Sequence, residues 1–166
     1  MALHNNLLRD KAPLSRKGGF TLFEIIVVMA FIAIVGTFTL LVSMDSFQSY
    51  NFHTERDILV AALQHARAQA VGNVCLGAGC TTGKAHGVSI QTDKFVIFQG
   101  TSYATRDAAM DAVLQANTTI IHSGISEVVF SELSGNSPTP GTLTISSQGK
   151  SSDITIGALG QIIWTN

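Results

Sequence analysis

The longest hydrophobic pattern in the chain is an uncharged run from Ile25 to Met44, in which Ile, Val, Phe, Leu and Ala dominate. About 20 apolar residues in a helix are enough to cross the hydrocarbon core of a bilayer. A single carboxylate, Glu24, directly precedes the run, and burying such a charge without a partner costs roughly 2.5–3.5 kcal/mol on insertion scales. The pattern therefore predicts a membrane-spanning helix whose Glu24 needs a positive partner from outside the segment.

The helical pattern continues beyond this run but becomes one-sided. Residues 21–71 contain no proline, and Gly36 is their only glycine. In the second half, apolar residues recur at helical spacing, namely Phe52, Leu59, Leu63, Ala66 and Ala70. Charged and amide residues fall mostly between them, as in a helix that covers a core with one face. We therefore predict a single long helix that ends at Gly72-Asn73, since both residue types suit a helix C-terminus.

From Ala85 onwards the period of the pattern changes to two, which predicts β-strands. Residues 87–90 and 94–98 flank Gln-Thr-Asp and predict a hairpin. Further strand signals lie at 119–121, 126–130, 142–146, 153–156 and 161–164, and residues 101–117 predict a loop with a short helical turn. We expect Trp164 and the other aromatic residues to pack the sheet on the helix.

Together these patterns predict an α+β fold. A long N-terminal helix, transmembrane in its first half and amphipathic in its second half, is expected to pack on a small antiparallel β-sheet domain. At 166 residues the chain allows one domain of ordinary size in addition to the membrane segment.

Charge is distributed unevenly along the chain, although the net charge is only −1. Residues 1–19 carry four basic side chains and one acidic side chain, so this leader is positive, while the rest of the chain is acidic. The positive-inside rule then predicts that the leader stays in the cytoplasm and that the C-terminal part crosses the membrane. An acidic body has no general attraction for nucleic acid, which makes nucleic acid an unlikely class of partner.

A specific motif joins the leader to the apolar run. Residues 17–24 read Lys-Gly-Gly-Phe-Thr-Leu-Phe-Glu. Gly-Phe-Thr-Leu-x-Glu before an apolar helix resembles the class III signal of type IV pilins and type II secretion pseudopilins. The resemblance implies cleavage by prepilin peptidase between Gly19 and Phe20, N-methylation of Phe20, and pairing of Glu24 with a neighbouring subunit's terminal amine during assembly. An uncleaved signal anchor with an incidental glutamate is the alternative.

A second resemblance concerns the end of the helix. Residues 63–71, with Cys75 shortly after them, are similar to the segment that ends the long helix of H-type minor pseudopilins and fimbrial-T-type minor pilins. The C-terminal strand pattern is similar to their closing sheet. One departure is that main pilins often carry a helix-loosening glycine and proline in the apolar run, whereas this run has no proline. The resemblance implies four segments: a cleaved cytoplasmic leader (1–19), a transmembrane and filament-core helix (20–44), its amphipathic continuation (45–72) and a β-rich globular domain (73–166).

The resemblance also implies a function and a location. It predicts a structural minor pilin or pseudopilin of a type IV pilus or a type II secretion pseudopilus, without enzymatic activity or cofactor. The expected location is the bacterial inner membrane, crossed once, with the C-terminal domain on the periplasmic side before assembly into the filament. The implied partners are prepilin peptidase, other major and minor pilins or pseudopilins, the inner-membrane assembly platform, and membrane lipid before assembly.

Two cysteines, Cys75 and Cys80, are separated by four residues in a glycine-rich segment. In an exported domain a disulfide is the simplest interpretation. Free thiols and a metal site remain alternatives, although a metal would need two further ligands and His86 is the nearest histidine. A bridge over so short a loop would stabilise the domain by roughly 2 kcal/mol on the chain-entropy model.

Two other functions remain as alternatives. A DNA-binding minor pilin involved in DNA uptake would need a basic stripe. Beyond the helix, however, the only basic residues are Lys84, Lys94, Arg106 and Lys150. A single-pass redox enzyme would need a low-pKa thiol, and Cys-x4-Cys is not the usual spacing of a reactive dithiol.

The five histidines do not cluster at metal-ligand spacing. Arg67 either braces the helix against the sheet or contacts another subunit.

Overall fold

The structure is a computed structural model that describes residues 18–165, apart from the side chains of residues 39–45. Most of the predicted leader, residues 1–17, therefore lies outside the described residues. The chain divides into two compact units, residues 1–43 and 44–166. One α-helix, α1 (Leu22–Val71), contributes to both units.

In the first unit α1 begins at a threonine cap. The hydroxyl oxygen of Thr21 accepts a hydrogen bond from the backbone N–H of Glu24 at 3.2 Å. The Thr21 carbonyl accepts a further bond from the N–H of Ile25, also at 3.2 Å. The first N–H groups of a helix have no partner within the helix, so a side-chain oxygen at this position satisfies one of them. The cap explains why α1 begins directly after Thr21.

The apolar side chains in the first part of α1 are exposed on all sides of the helix. Between Phe20 and Phe38 only Val27 is half-buried, and every other residue is exposed. Among the large apolar side chains the exposed fraction ranges from 47% for Val28 to 79% for Phe20. This part of α1 therefore has no core of its own within the described chain.

The predicted transmembrane first half of the helix, residues 20–44, is wrong for the residues that the structure describes. None of the helices found in them combines the length and the apolar character needed to cross a membrane.

The second unit contains two antiparallel sheets. Within the described residues the strands are β1 (His86–Ile90), β2 (Lys94–Gln99), β3 (Ala112–Gln115), β4 (Ile121–Gly124), β5 (Glu127–Phe130), β6 (Gly141–Ser147), β7 (Lys150–Ile156) and β8 (Ile162–Thr165). The first sheet has the order β3-β2-β1-β5, and the second has the order β4-β6-β7-β8. Two single-turn 3-10 helices, Tyr103–Thr105 and Ala108–Met110, lie between β2 and β3.

The second part of α1 and both sheets bury their apolar side chains in one core. The helix contributes its predicted stripe, in which Phe52, Leu59, Leu63, Ala66 and Ala70 are all buried. The sheets contribute alternate residues, as in β7, where Ile154 and Ile156 are buried and Asp153 and Thr155 are exposed. A period of 3.6 in the helix and of 2 in the strands is the pattern that one shared core requires.

The first sheet is covered on its other face as well. Every residue of β1 is buried, and the ring of Tyr103 lies edge-on to that of Phe98 with centroids 5.7 Å apart. Gly87 in β1 lies beneath the Phe98 ring, where a Cβ atom would collide with the ring and with the carbonyl oxygen of Val128. The segment after β2 therefore covers the outer face of this sheet.

The prediction of a single sheet is wrong, because the chain changes sheets between β4 and β5. β4 pairs with β6 in the second sheet, whereas β5 pairs with β1 in the first. Gly124, at the end of β4, has a φ of 103°, and a Cβ atom there would collide with the carbonyl oxygen of Thr142. Glycine tolerates both conditions, so the chain can turn sharply at this point.

Two further expectations about the strands are wrong. Residues 112–115 form β3, paired with β2, although the sequence predicted a loop there. This edge strand is mostly exposed and shows no alternation in the sequence. Trp164 does not pack the sheet on the helix, since its side chain lies 44% exposed on the outermost strand of the second sheet.

The helix ends where glycine and asparagine predicted an end. The N–H of Asn73 donates to the carbonyl of Ala70 at 3.0 Å, and the N–H of Val74 donates to that of Gln69 at 3.0 Å. Asn73 has a φ of 52°. This pair of bonds with a left-handed residue is the Schellman motif, which satisfies the last carbonyls of a helix.

Candidate functional site

The predicted cleavage site lies in exposed backbone before α1. Gly18, Gly19 and Phe20 are all exposed and outside the helix. A Cβ atom added to either glycine would meet no other atom within 4 Å. The bond between Gly19 and Phe20 is thus accessible, and the fold itself does not require glycine at either position.

Glu24 has a local role that the sequence reasoning missed. It is the third residue of α1, where a capping box places a glutamate after a threonine cap. A carboxylate in the first helical turn also interacts favourably with the helix dipole, by about 0.3–1 kcal/mol. The signal was present in the sequence as Thr-x-x-Glu at residues 21–24. Glu24 therefore contributes to the start of the helix whether or not it binds a second subunit.

The Glu24 carboxylate is exposed and has no ion-pair partner among residues 18–165. Most of its neighbours in the chain are apolar and exposed, including Phe20, Phe23 and Val28. A positive group that approaches this end of α1 would therefore find one negative charge in an otherwise uncharged surface.

The structure joins Cys75 and Cys80 by a disulfide, with their Cα atoms 5.7 Å apart. The side-chain amide of Gln99, at the end of β2, holds the bridged loop. Its oxygen accepts from the N–H of Leu76 at 2.6 Å, and its nitrogen donates to the Leu76 carbonyl at 3.2 Å. Of the three alternatives left open by the sequence, the disulfide is the one that the structure contains.

His86 anchors the segment between α1 and β1. Its side chain is fully buried, and Nε2 donates to the carbonyl of Val74 at 3.1 Å. Nδ1 is buried without a hydrogen-bond partner. Burial lowers the pKa of His86 below its ordinary value, and the hydrogen bond to Val74 only partly opposes this effect. The ring therefore acts as a neutral structural group. In the described part of the chain, no three His, Cys, Asp or Glu residues are grouped closely enough to hold a metal ion.

A buried contact between Glu55 and His122 was missed by the sequence reasoning, which placed Glu55 on the polar side of the helix. The side chains are 4% and 5% exposed, and Oε1 of Glu55 lies 3.2 Å from Nε2 of His122. The distance suits an ion pair, but the direction does not suit a hydrogen bond, so both His122 ring nitrogens remain without one. Oε1 also accepts from the backbone N–H of Asn117 at 3.1 Å. These contacts tie α1 to the second sheet.

Arg67 braces the end of α1 against two loops, which is the first of the two roles that the sequence left open. Its Nε donates to the carbonyl of Gly135, and its Nη2 donates to that of Leu159, both at 3.4 Å. In the same region, the N–H of Leu133 donates to the carbonyl of Ala70 at 2.9 Å. The loops before β6 and before β8 are thus attached to the last turns of the helix.

Basic side chains of the second unit do not form a continuous positive surface. Arg56 and Arg106 pair with Asp57 and Asp111 at 2.9 and 2.8 Å. The lysines are dispersed, since Lys84 precedes β1, Lys94 begins β2 in the first sheet, and Lys150 begins β7 in the second. This arrangement lacks the stripe of positive charge that follows a nucleic-acid backbone.

Comparison of the chain with models of protein families, with curated proteins and with solved structures finds no match. The function must therefore be argued from the motif around Gly19 and from the geometry of the exposed part of α1.

Proposed function

We propose that the protein is a structural minor pilin or pseudopilin, cut between Gly19 and Phe20 and assembled into a filament through the first part of α1. One observation carries the proposal. A helix that is apolar and exposed all round follows directly after an accessible Gly-Phe bond, and it holds a single carboxylate near its start. A filament subunit needs such a helix, because its apolar surface can be buried against the same helix of neighbouring subunits.

Exposed apolar area supplies the driving force for assembly. Twelve large apolar side chains between Phe20 and Phe38 are 47–79% exposed. Full burial of such a side chain is worth about 1.5–3 kcal/mol, so covering the exposed half of each contributes about 1 kcal/mol. The sum is on the order of 10 kcal/mol before the entropy of association is subtracted. Equivalent helices from neighbouring subunits are the occupants that we propose, because a helix apolar on every side can be covered by several others at once.

Glu24 would set the axial position of each helix relative to its neighbours in the filament. Cleavage after Gly19 would create a positive amine on Phe20, four residues before Glu24 in the same chain. In a bundle of such helices, that amine can lie beside the Glu24 carboxylate of a subunit already in place. Charges attract more strongly in a low-dielectric bundle than in water. Each processed helix would carry one positive group, the Phe20 amine, and one negative group, the Glu24 carboxylate. Apolar packing alone tolerates sliding, so this pair would fix the axial position.

The function requires a prepilin peptidase, an assembly platform and other pilins or pseudopilins as partners. DNA uptake is not favoured, because the basic side chains of the second unit are paired or dispersed. A redox role for the cysteines is not favoured either, because the disulfide loop is fastened to β2 through Gln99.

The processing step provides the direct test. In a host with prepilin peptidase, intact-mass measurement should find a chain that begins at Phe20 and carries the mass of one added methyl group. Gly19→Val should block cleavage, whereas Gly18→Val should leave it intact. The two variants are matched, because the space around both glycines is equally open. Cleavage of both variants, or of neither, would contradict the proposed site.

A further inference from the structure

β8 is the outer strand of the second sheet, and no other strand among residues 18–165 pairs with its outer edge. The N–H of Gly157 donates to the carbonyl of Gln161 at 2.9 Å, so these two residues form a hydrogen-bonded pair between β7 and β8. Such pairs alternate with non-hydrogen-bonded pairs along antiparallel strands. From the β7–β8 register, Ile163 and Thr165 direct their backbone groups to β7. Ile162 and Trp164 therefore direct their N–H and C=O groups to the open edge.

This edge lacks the features that usually prevent strands from pairing. Natural edge strands are protected by charged side chains, proline or bulges. Residues 154–165 contain no charged residue and no proline. The side chains of Ile163 and Trp164 are 56% and 44% exposed. The edge is therefore apolar, uncharged and available for hydrogen bonding.

A groove lies beside the same edge, on the face of the sheet that contacts α1. It has a volume of about 340 Å³ and is lined by Gln64, Arg67, Ala68, Val71 and Ile162. Ala68 and Val71 are exposed residues of α1. The register places Ile162 opposite Ile156, and Trp164 opposite Ile154. Both partners are core residues, so Ile162 and Trp164 share the face on which the groove opens.

We propose that a second copy of this chain pairs with this edge, β8 against β8, in antiparallel orientation. If the two-fold axis passes beside Ile163, Ile162 of each copy lies opposite Trp164 of the other. In this register Ile162 and Trp164 of each strand are the described residues that bond across the axis. Each Ile162–Trp164 pair exchanges two backbone hydrogen bonds, which makes four in total. The indole of one copy then lies next to Ile162 of the other, over the groove. An aromatic residue opposite a β-branched one is a favourable cross-strand pair.

The absence of charge along β8 favours a second copy over a charged partner, since two identical uncharged edges do not repel each other. Four hydrogen bonds and two indoles cover less than the roughly 1,200–2,000 Å² of a stable interface. Association through β8 alone is therefore weak and reversible. The pairing does not depend on cleavage at Gly19 or on Glu24.

A cysteine at the two-fold axis would trap the pair. In the proposed register Ile163 faces its own counterpart in a non-hydrogen-bonded pair, with Cα atoms about 4.5 Å apart. This lies within the disulfide range of about 4.4–6.8 Å. Thr155 provides the matched control, because it is exposed on the same face, directly opposite Ile163 on β7. Its counterpart would be three strand spacings away, about 14 Å, which is too far for a disulfide.

The experiment uses the full-length chain in detergent, with non-reducing electrophoresis and peptide mapping after mild oxidation. Ile163→Cys should yield a covalent dimer bridged at residue 163, and Thr155→Cys should stay monomeric. Adding Trp164→Pro to Ile163→Cys should abolish the dimer. The proline would remove an N–H at the open edge and leave the β7 pairing intact, which circular dichroism would check. Equal cross-linking of the two cysteine variants, no dimer with Ile163→Cys, or a dimer that survives Trp164→Pro would each overturn the proposal.

Discussion

Glu24→Gln tests the proposed assembly mechanism most directly. The substitution keeps the size and polarity of the side chain and removes its charge. Within one subunit it removes a helix-dipole interaction worth about 0.3–1 kcal/mol. It leaves the Thr21 cap in place, because the cap bond uses the backbone N–H of residue 24. The core of the second unit is formed by buried residues between Phe52 and Ile156 and does not include Glu24, so its thermal stability should not change.

The effect on assembly should be much larger. In a filament, the variant would leave the amine of a neighbouring Phe20 buried without its partner. Removing one member of a buried ion pair costs about 3–5 kcal/mol. This corresponds to a loss of incorporation of roughly two to nearly four orders of magnitude. Leader cleavage should be unaffected, because the accessible Gly19–Phe20 bond lies outside the helix.

Thr21→Ala provides the matched control, since it removes the cap and keeps the carboxylate. Loss of such a cap costs about 0.5–2 kcal/mol of helix stability. The assay is cross-linking between α1 segments of processed subunits in cells that assemble filaments, with the parent and both variants expressed at equal levels. We expect incorporation to fall far more with Glu24→Gln than with Thr21→Ala. If Glu24→Gln assembles like the parent, the pairing mechanism is refuted. If both variants lose incorporation equally, Glu24 acts through the helix start and not through a second subunit.

Three further predictions concern the second unit. Replacing Cys75 and Cys80 together by Ser should lower the free energy of unfolding by about 2 kcal/mol, because a short loop is released. Glu55→Ala should lower the free energy of unfolding, measured with denaturant, by about 1–3 kcal/mol, because it leaves the buried N–H of Asn117 without a partner, and Glu55→Gln should cost less. Stability should also fall as the pH is lowered below about 6.5. Burial lowers the pKa of His86 in the folded state, so the unfolded chain takes up the proton first.

Each of these predictions has a control. Reducing agent should destabilise the parent by the same amount as the double Ser variant, and a mismatch would mean that the serines act by some other route. A double-mutant cycle between Glu55→Gln and His122→Gln should show coupling, and strict additivity would argue against the contact. His86→Gln should flatten the fall in stability below pH 6.5, and an unchanged slope would assign that fall to another group.

The sequence by itself determined the helix and most of the strands. The spacing of Phe52, Leu59 and Leu63 identified the buried stripe of α1, because a helix buries one residue in every three or four. Gly72-Asn73 identified its end, because few residues other than these adopt a left-handed conformation. Period-two segments identified the β1–β2 hairpin and the positions of β5, β6 and β7. The family resemblance around Gly19, Phe20 and Glu24 is also a property of the sequence, and it stays a prediction.

Tertiary structure decided how these elements combine. Which sheet a strand joins depends on residues far apart in the chain, so the separation of β4 from β5 could not be read from their patterns. The contact between Glu55 and His122 spans 67 positions of the chain, and only the approach of α1 to the second sheet creates it. Arg67 and Trp164 show the same limit. Their chemistry allowed several roles. The carbonyls of two loops bind Arg67, and the position of β8 at the edge of the second sheet leaves Trp164 partly exposed.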